Sequence, residues 1–263
     1  MSVPVIFSTG SLWPFGLDRI YGWAAEAGYD GVEIMMDDRW DTHQAAYLNH
    51  LAEKHGIPIL ALHPPLREGV WRLGPGETLV RAARLAARIG GGEAEVVVPA
   101  HPPPPGRPIQ RWSQGPLREA RGAGVPVAVE NMPKGSARIF SVGRKSCYLP
   151  EHLADIGDVT LDTSHVGASG IDLMRTFEKL EDQIHHVHLS DSNLTGRDEH
   201  RLPGRGKLPL KEFLADLGDS DYPGTVSLEL KPWPLGTPHP KDITKRIRGA
   251  LEYTREGLGA KRG

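Results

Sequence analysis

Short apolar runs alternate with amphipathic segments along the whole chain. The apolar runs are rich in β-branched side chains, which is typical of strands buried on both faces of a parallel sheet. They predict eight strands: Val3–Ser8, Gly31–Met36, Pro58–His63, Glu95–His101, Pro126–Asn131, Val159–Asp162, His185–Leu189 and Thr225–Leu230. Helical periodicity between them predicts eight helices: Leu17–Ala27, Thr42–His55, Glu77–Ile89, Ile109–Ala123, Tyr148–Ile156, Ile171–Gln183, Leu210–Leu217 and Lys241–Leu258.

The number of strand–helix units indicates the fold. Eight units in 263 residues predict one (β/α)8 TIM barrel spanning residues 1–263. An open doubly wound sheet should carry a glycine-rich phosphate loop after its first strand, and TGSLWPFG does not match that pattern. The fourth helix is the least regular, because Ser113–Pro116 interrupts it.

Composition narrows the function classes. The net charge of −2 gives no global electrostatic reason to bind nucleic acid or a membrane. A single cysteine, Cys147, excludes an intramolecular disulfide and fits a reducing cytosol. The first residues lack a signal-peptide pattern, and no apolar run reaches transmembrane length. We therefore expect a cytoplasmic protein without a membrane partner.

The stretch 159–170, VTLDTSHVGASG, shows where the chemistry lies. Its strand ends at Asp162, and His165 follows in what the glycines indicate is a loop. A carboxylate and an imidazole three residues apart suit a metal ion, although such a pair is common by chance.

The other strand ends repeat this arrangement. Seven of the eight predicted strands end in a potential metal ligand or acid/base group, at the end where such barrels carry their chemistry. Each residue alone could be a hydrogen-bonded histidine or a buried ion-pair partner, but their convergence predicts one metal site. In chain order these residues are Glu33, His63, His101, Glu130, Asp162 with His165, His188, Asp198 with His200 in the next loop, and Glu229.

With these residues in place, the chain resembles the xylose-isomerase-like TIM-barrel superfamily, which holds sugar isomerases and epimerases together with apurinic endonucleases of the endonuclease IV type. The resemblance covers essentially the whole chain and rests on AVEN (128–131), LDTSHVGASG (161–170), HVHLSD (186–191), DEHRLPGRG (198–206) and SLEL (227–230). It implies four ligands for a principal divalent ion: Glu130, Asp162, His188 and Glu229. In the endonuclease branch it further implies a second ion on His63, His101 and Glu130, and a third on His165, Asp198 and His200.

The chain also departs from both branches of the superfamily. The endonuclease branch implies an aromatic wedge after His63, where the chain reads HPPLREG, and a longer interval between His188 and Asp198. The ketose 3-epimerases imply an arginine soon after the metal histidine, where Ser192, Asn193 and Leu194 stand. Arg197, Arg201 or Arg205 could substitute for it.

The function predicted on this basis is a divalent-metal-dependent isomerase or epimerase of a sugar or sugar phosphate. Chelation would stabilise an enediolate while Glu130 and Glu229 exchange the proton, unless both glutamates are ligands only. The alternatives are a three-zinc endonuclease acting on abasic DNA, and a metal-binding barrel without catalysis. We expect one to three zinc, manganese, cobalt, iron or magnesium ions per chain, and a homodimer is possible.

Several further residues are candidates for substrate binding. Trp13, Trp40 and Trp233 follow strand ends and could stack on a sugar, or pack against the barrel rim. Asp191 and Glu33 are predicted either to hold a metal ligand through a hydrogen bond or to orient a substrate. The predicted substrate-binding set is Glu33, Trp13, Arg197, Arg205 and Lys231.

Overall fold

Eight parallel strands form the centre of the protein. A computed structural model describes residues 2–66, 70–89, 95–103, 109–133, 150–154, 156–237 and 240–260. The strands are β1 (Val5–Ser8), β2 (Gly31–Met35), β3 (Ile59–His63), β4 (Val98–Ala100), β5 (Val127–Glu130), β6 (Val159–Asp162), β7 (Ile184–Leu189) and β8 (Thr225–Leu228). Their order is β3-β2-β1-β8-β7-β6-β5-β4, with every described pairing parallel.

The two ends of this sheet meet. Leu62 N donates to Val97 O at 2.9 Å, and Val97 N donates to Leu60 O at 3.0 Å, so β3 joins the residues just before β4. This contact brings the sheet round into a barrel and confirms the predicted (β/α)8 fold. The strand β4 is shorter than the predicted Glu95–His101, and Val97 just before it makes only an isolated bridge to Ala61.

The described helices surround the barrel. They are α1 (Leu17–Ala27), α2 (Ala45–His55), α3 (Pro75–Ala86), α4 (Ile109–Trp112), α5 (Arg118–Arg121), α6 (Pro150–Leu153), α7 (Thr163–Ser169), α8 (Leu173–Leu180), α9 (Leu210–Asp219) and α10 (Ile243–Leu258). The predicted break in the fourth helix is confirmed by a π-helical stretch, Ser113–Leu117, with Pro116 inside it. None of the described helices is long and apolar enough to span a membrane. Cys147 and the predicted helix start at Tyr148 lie outside the described residues.

One prediction about local structure is wrong. The segment after Asp162 is the helix α7, not a loop. The Asp162 carboxylate caps this helix by accepting the His165 N–H at 2.9 Å, and Gly170 ends it with a φ of 66°. The sequence TSHVGAS is poor in helix formers and shows no apolar stripe, so it did not predict a helix. Almost the whole helix is buried, and tertiary packing stabilises it.

The apolar residues form two clusters. The larger one joins the outward side chains of the strands to the inner faces of the helices, as between Phe7, Tyr21 and Ile247. The smaller one contains strand residues and neighbours of strands alone: Ile6, Leu60, Ala61, Val97 and Ala128. Apolar side chains therefore fill one part of the barrel interior, and the polar residues collect at the carboxyl ends of the strands.

The packing of α9 against the end of α10 gives a test of the fold. A Cβ added at Gly218 would overlap the Leu258 carbonyl oxygen, which is backbone and cannot rotate away. We expect Gly218→Ala to lower the free energy of unfolding by about 1–3 kcal/mol in urea titrations. Gly249→Ala is the matched control, since its Cβ meets nothing within 4 Å inside α10; we expect it to be neutral or slightly stabilising. Equal stability of the two variants would contradict the tight contact.

Candidate metal centre

The structure brings all nine predicted ligands together at the carboxyl ends of the strands. Four overlapping groups among the described residues could hold a metal ion, because one ligand atom from each member lies within 4.8 Å of the others. The groups are His63–His101–Glu130, Glu130–Asp162–His188, Asp162–His165–His200 and Glu33–His186–His188. Asp198 and Glu229 adjoin these groups through His200 and His188.

Of the four ligands predicted for the principal ion, three are carboxylates that surround one imidazole nitrogen of the fourth, His188. His188 Nδ1 lies 3.1 Å from Glu229 Oε2, 3.5 Å from Glu130 Oε1 and 3.9 Å from Asp162 Oδ2. Within the described part of the chain, three buried atoms here have close ionic neighbours but no hydrogen bond of regular geometry: His188 Nδ1, Asp162 Oδ2 and Glu130 Oε2. Buried polar atoms are normally paired, so these residues fit a divalent cation that would supply the missing partner.

The remaining ligands lie on either side of this position. On one side, His101 Nε2 and His63 Nε2 lie 3.0 and 3.6 Å from Glu130 Oε2. On the other side, His200 Nε2 and His165 Nε2 lie 3.0 and 3.7 Å from Asp198 Oδ2. Glu130 belongs to two of the candidate groups and would be available to both if each held an ion.

Backbone carbonyls orient three of the histidines. A carbonyl oxygen can only accept a hydrogen bond, so the nitrogen facing it carries the proton and the other nitrogen is free to bind a metal. In each case Nδ1 faces the carbonyl. In His63 and His200 the carboxylate lies at Nε2, whereas His165 has Glu130 Oε1 3.2 Å from Nδ1 and Asp198 Oδ2 3.7 Å from Nε2. The pairs are His63 with Pro64 O at 2.7 Å, His165 with Asn131 O at 2.8 Å, and His200 with Glu229 O at 3.1 Å.

The protein chain matches the family model described as "Xylose isomerase-like TIM barrel" over residues 21–252. The chain belongs to this family. A full-length relative is an uncharacterized protein of Mycobacterium leprae (strain TN), 30% identical over 254 residues and covering 87% of this chain and 89% of its own length. This membership confirms the resemblance predicted from the sequence motifs.

Two further comparisons are with proteins of stated activity. Fructoselysine 3-epimerase of Escherichia coli O157:H7 is 35% identical over 81 residues, which is 30% of this chain and 29% of that enzyme. The crystal structure of a family 2 AP endonuclease from Brucella melitensis has a TM-score of 0.69 at 16% identity, covering 95% of this chain and 99% of that one. The second likeness shows the fold alone.

The charged groups of this family member's centre shift one another's pKa values. Burial lowers the pKa of His188, but the Glu33, Glu229 and Glu130 carboxylates outweigh it and raise that pKa well above its ordinary value. Burial likewise opposes the charge on His200, yet nearby carboxylates raise its pKa to about 9. Burial raises the pKa of Asp162, and the neighbouring histidines only partly offset this. The metal-free centre therefore holds protons where a cation would bind.

Two residues hold the loop that carries Asp198 and His200. The Ser164 hydroxyl donates to Asp198 Oδ1 at 2.8 Å and accepts the His200 N–H at 3.1 Å. The Asp191 carboxylate accepts the backbone N–H groups of Ser192, Gly206 and Leu208. Asp191 is 1% exposed, so it shapes this loop and has almost no surface to offer a substrate.

Sequence reasoning missed two residues of the centre. The Asn131 amide pairs with both backbone groups of Asp162, at 2.7 and 3.0 Å, and so joins the ends of β5 and β6. His186 lies fully buried beside Glu33. Its signal was the spacing of His186 and His188, because side chains two apart on a strand point to the same face.

The predicted substrate-binding residues fall into three places. Trp13 and Lys231 line a cleft of about 430 Å³ together with Asp198, His200 and Glu229. Arg197 and Arg205 line a neighbouring cleft of about 440 Å³, which shares Asp198 as a wall. Glu33 has no exposed surface, so the prediction that it binds substrate is revised: it lies beneath His188 and cannot touch a substrate in the cleft.

Metal binding should release protons. At pH 7 the metal-free protein carries protons on His188 and His200, and a metal ligand must be deprotonated. We expect zinc addition in weakly buffered solution to release protons, and the apparent affinity to fall about tenfold per pH unit for each proton displaced as the pH is lowered from about 9. His200→Ala should release fewer protons, whereas His50→Ala, on the exposed face of α2, should not differ from the unmodified protein. A pH-independent affinity would contradict this assignment.

Proposed function

We propose that this protein is a divalent-metal-dependent isomerase or epimerase of a sugar or sugar phosphate. The observation that carries the proposal is the pair of glutamates on one imidazole nitrogen. Glu130 and Glu229 come from different strands and both lie within 3.5 Å of His188 Nδ1. Glu229 also lines the cleft, so it is open to a small molecule that reaches the same position.

The chemistry needs both a Lewis acid and a proton carrier. A bound divalent ion would polarise a substrate carbonyl and stabilise the charge of an enediolate. The side chain of Glu229 is 18% exposed, whereas that of Glu130 is 2% exposed and lies among histidines. Glu229 is thus the better placed to take the first proton. Return of the proton to the neighbouring carbon isomerises the sugar; return by Glu130 to the opposite face of the same carbon epimerises it.

The walls of the cleft suit a sugar. Trp13 presents a largely exposed indole, which can stack on the apolar face of a sugar ring. Met35, Met36 and Leu66 form an apolar wall that limits water around the reacting carbons. The sequence similarity to fructoselysine 3-epimerase supports 3-epimerisation of a ketose as the reaction to test first.

Removal of the carboxylate of Glu229, the more exposed of the two glutamates, should abolish turnover. We expect Glu229→Gln to lower kcat on a ketose substrate by about 10²- to 10⁴-fold, because an amide cannot accept the proton. The activity of the metal-loaded variant is measured by chromatography of the sugar products. Glu252→Gln removes an equal charge from an exposed position on α10 and should retain full activity. An active Glu229→Gln variant would show that Glu229 is not the base.

An endonuclease acting on abasic DNA is the second candidate, and the two outer ligand groups favour it. His63 with His101, and His165 with Asp198 and His200, extend the centre to three metal positions. The described cleft opposes it, because Asp37 and Asp38 line its rim and Lys231 is its single lysine or arginine. DNA binding requires basic side chains that neutralise phosphates.

The number of bound metal ions separates the two functions. Elemental analysis of protein purified without chelator should give about one ion per chain for the isomerase and about three zinc ions for the endonuclease. In the three-ion case, His165→Ala should lower the count while the principal ion stays bound. His50→Ala is the control and should keep the full count. A count of three requires a cleavage assay on abasic-site DNA, and failure to bind any metal after reconstitution would refute both functions.

A further inference from the structure

We propose that Glu33 is a positioning residue that holds His188 in the tautomer needed for metal binding and makes the principal position the tightest metal position of the centre. This inference rests on the metal site of the proposed function but not on its substrate or reaction. Glu33 lies at the inner side of β2, behind the cleft, where it is fully buried.

Glu33 contacts the imidazole from the side opposite the other ligands. Its Oε1 accepts from His188 Nε2 at 3.0 Å, and its Oε2 accepts from the Ser227 hydroxyl at 2.5 Å. The carboxylate thus has both oxygens engaged. Since a carboxylate accepts the Nε2–H, the proton that a metal displaces from His188 is the one on Nδ1, the atom facing Glu130, Asp162 and Glu229.

His188 differs in this respect from the other histidines with an assigned orientation. His63 and His200 each turn Nδ1 to a neutral backbone carbonyl and Nε2 to a carboxylate of the centre. His188 turns Nε2 to a charged carboxylate and Nδ1 to the centre. A carboxylate partner makes an imidazole a more basic and stronger ligand than a carbonyl partner does. The principal position therefore gains affinity that the two outer positions lack.

Burying the Glu33 carboxylate costs free energy, which argues that this residue does more than fill space in the core. The described charged or titratable groups facing it are His188 and His186, whose Nε2 lies 3.8 Å from Glu33 Oε1. His186 is itself held by Thr225 Oγ1 at 2.7 Å. A fully buried carboxylate with imidazoles as its partners carries a large desolvation penalty, and apolar residues of similar size would commonly be as stable.

Two variants of Glu33 separate charge from shape, with zinc alone as the probe. Glu33→Gln keeps the size and can still accept from His188, while Glu33→Leu removes the acceptor as well. We expect zinc affinity at the tightest position, measured by competition with a chelating dye, to fall about 10-fold for the first and about 100-fold for the second. The affinities of the weaker positions should change little. Ser227→Ala, which removes only the other hydrogen bond of Glu33, should stay close to the unmodified protein.

Thermal unfolding of each metal-free variant checks that it is folded. Wild-type affinity at the tightest position in a folded Glu33→Leu variant would overturn the proposal. A second measurement does not depend on variants: ¹⁵N NMR of the zinc-loaded wild-type imidazoles should show His188 with its proton on Nε2, opposite to His63 and His200. A proton on Nδ1 of His188 would also overturn it. Neither readout involves turnover, so a failed sugar assay would refute the proposed function and leave this inference standing.

Discussion

Buried charge is the constraint on which the metal centre depends. Carboxylates and imidazoles from seven strands meet at one end of the barrel, where they can stay charged only if each finds an opposite charge or a hydrogen-bond donor. Glu33 finds both, whereas Asp162 and Glu130 each keep one buried oxygen without a hydrogen bond in the described structure. That imbalance fits a centre that could take up a cation better than an ion-pair network that is complete by itself.

The exposure of the three glutamates in the centre increases from the barrel interior to the cleft. Glu33 is fully buried and orients a ligand, Glu130 is almost buried and lies among histidines, and Glu229 reaches the cleft. Of the three, Glu33 has both of its carboxylate oxygens in hydrogen bonds. Such an order suits catalysis, because rigid neighbours hold the ligands while an accessible carboxylate meets the substrate.

Sugar enzymes and endonucleases of this family share a fold, so the fold alone does not choose between them. The surface around the centre is more informative. The cleft beside Glu229 carries an exposed indole and acidic residues, which suit a small polyhydroxylated molecule better than a phosphate backbone. The arginines that could bind a phosphate line a separate cleft on the far side of Asp198. A substrate that uses both clefts would have to pass Asp198.

The sequence by itself predicted the barrel, which the structure confirms, and nine candidate metal ligands, which the structure brings together. Buried parallel strands require continuous apolar runs, and all their carboxyl ends meet at one end of a barrel, so residues at strand ends must converge. Only the tertiary structure decided that residues 163–169 form a helix, that Glu33 faces His188, and that the arginines are separated from Trp13. These outcomes depend on contacts between distant parts of the chain, such as that between Glu33 and His188, whose residue numbers differ by 155. Local periodicity carries no information about such contacts.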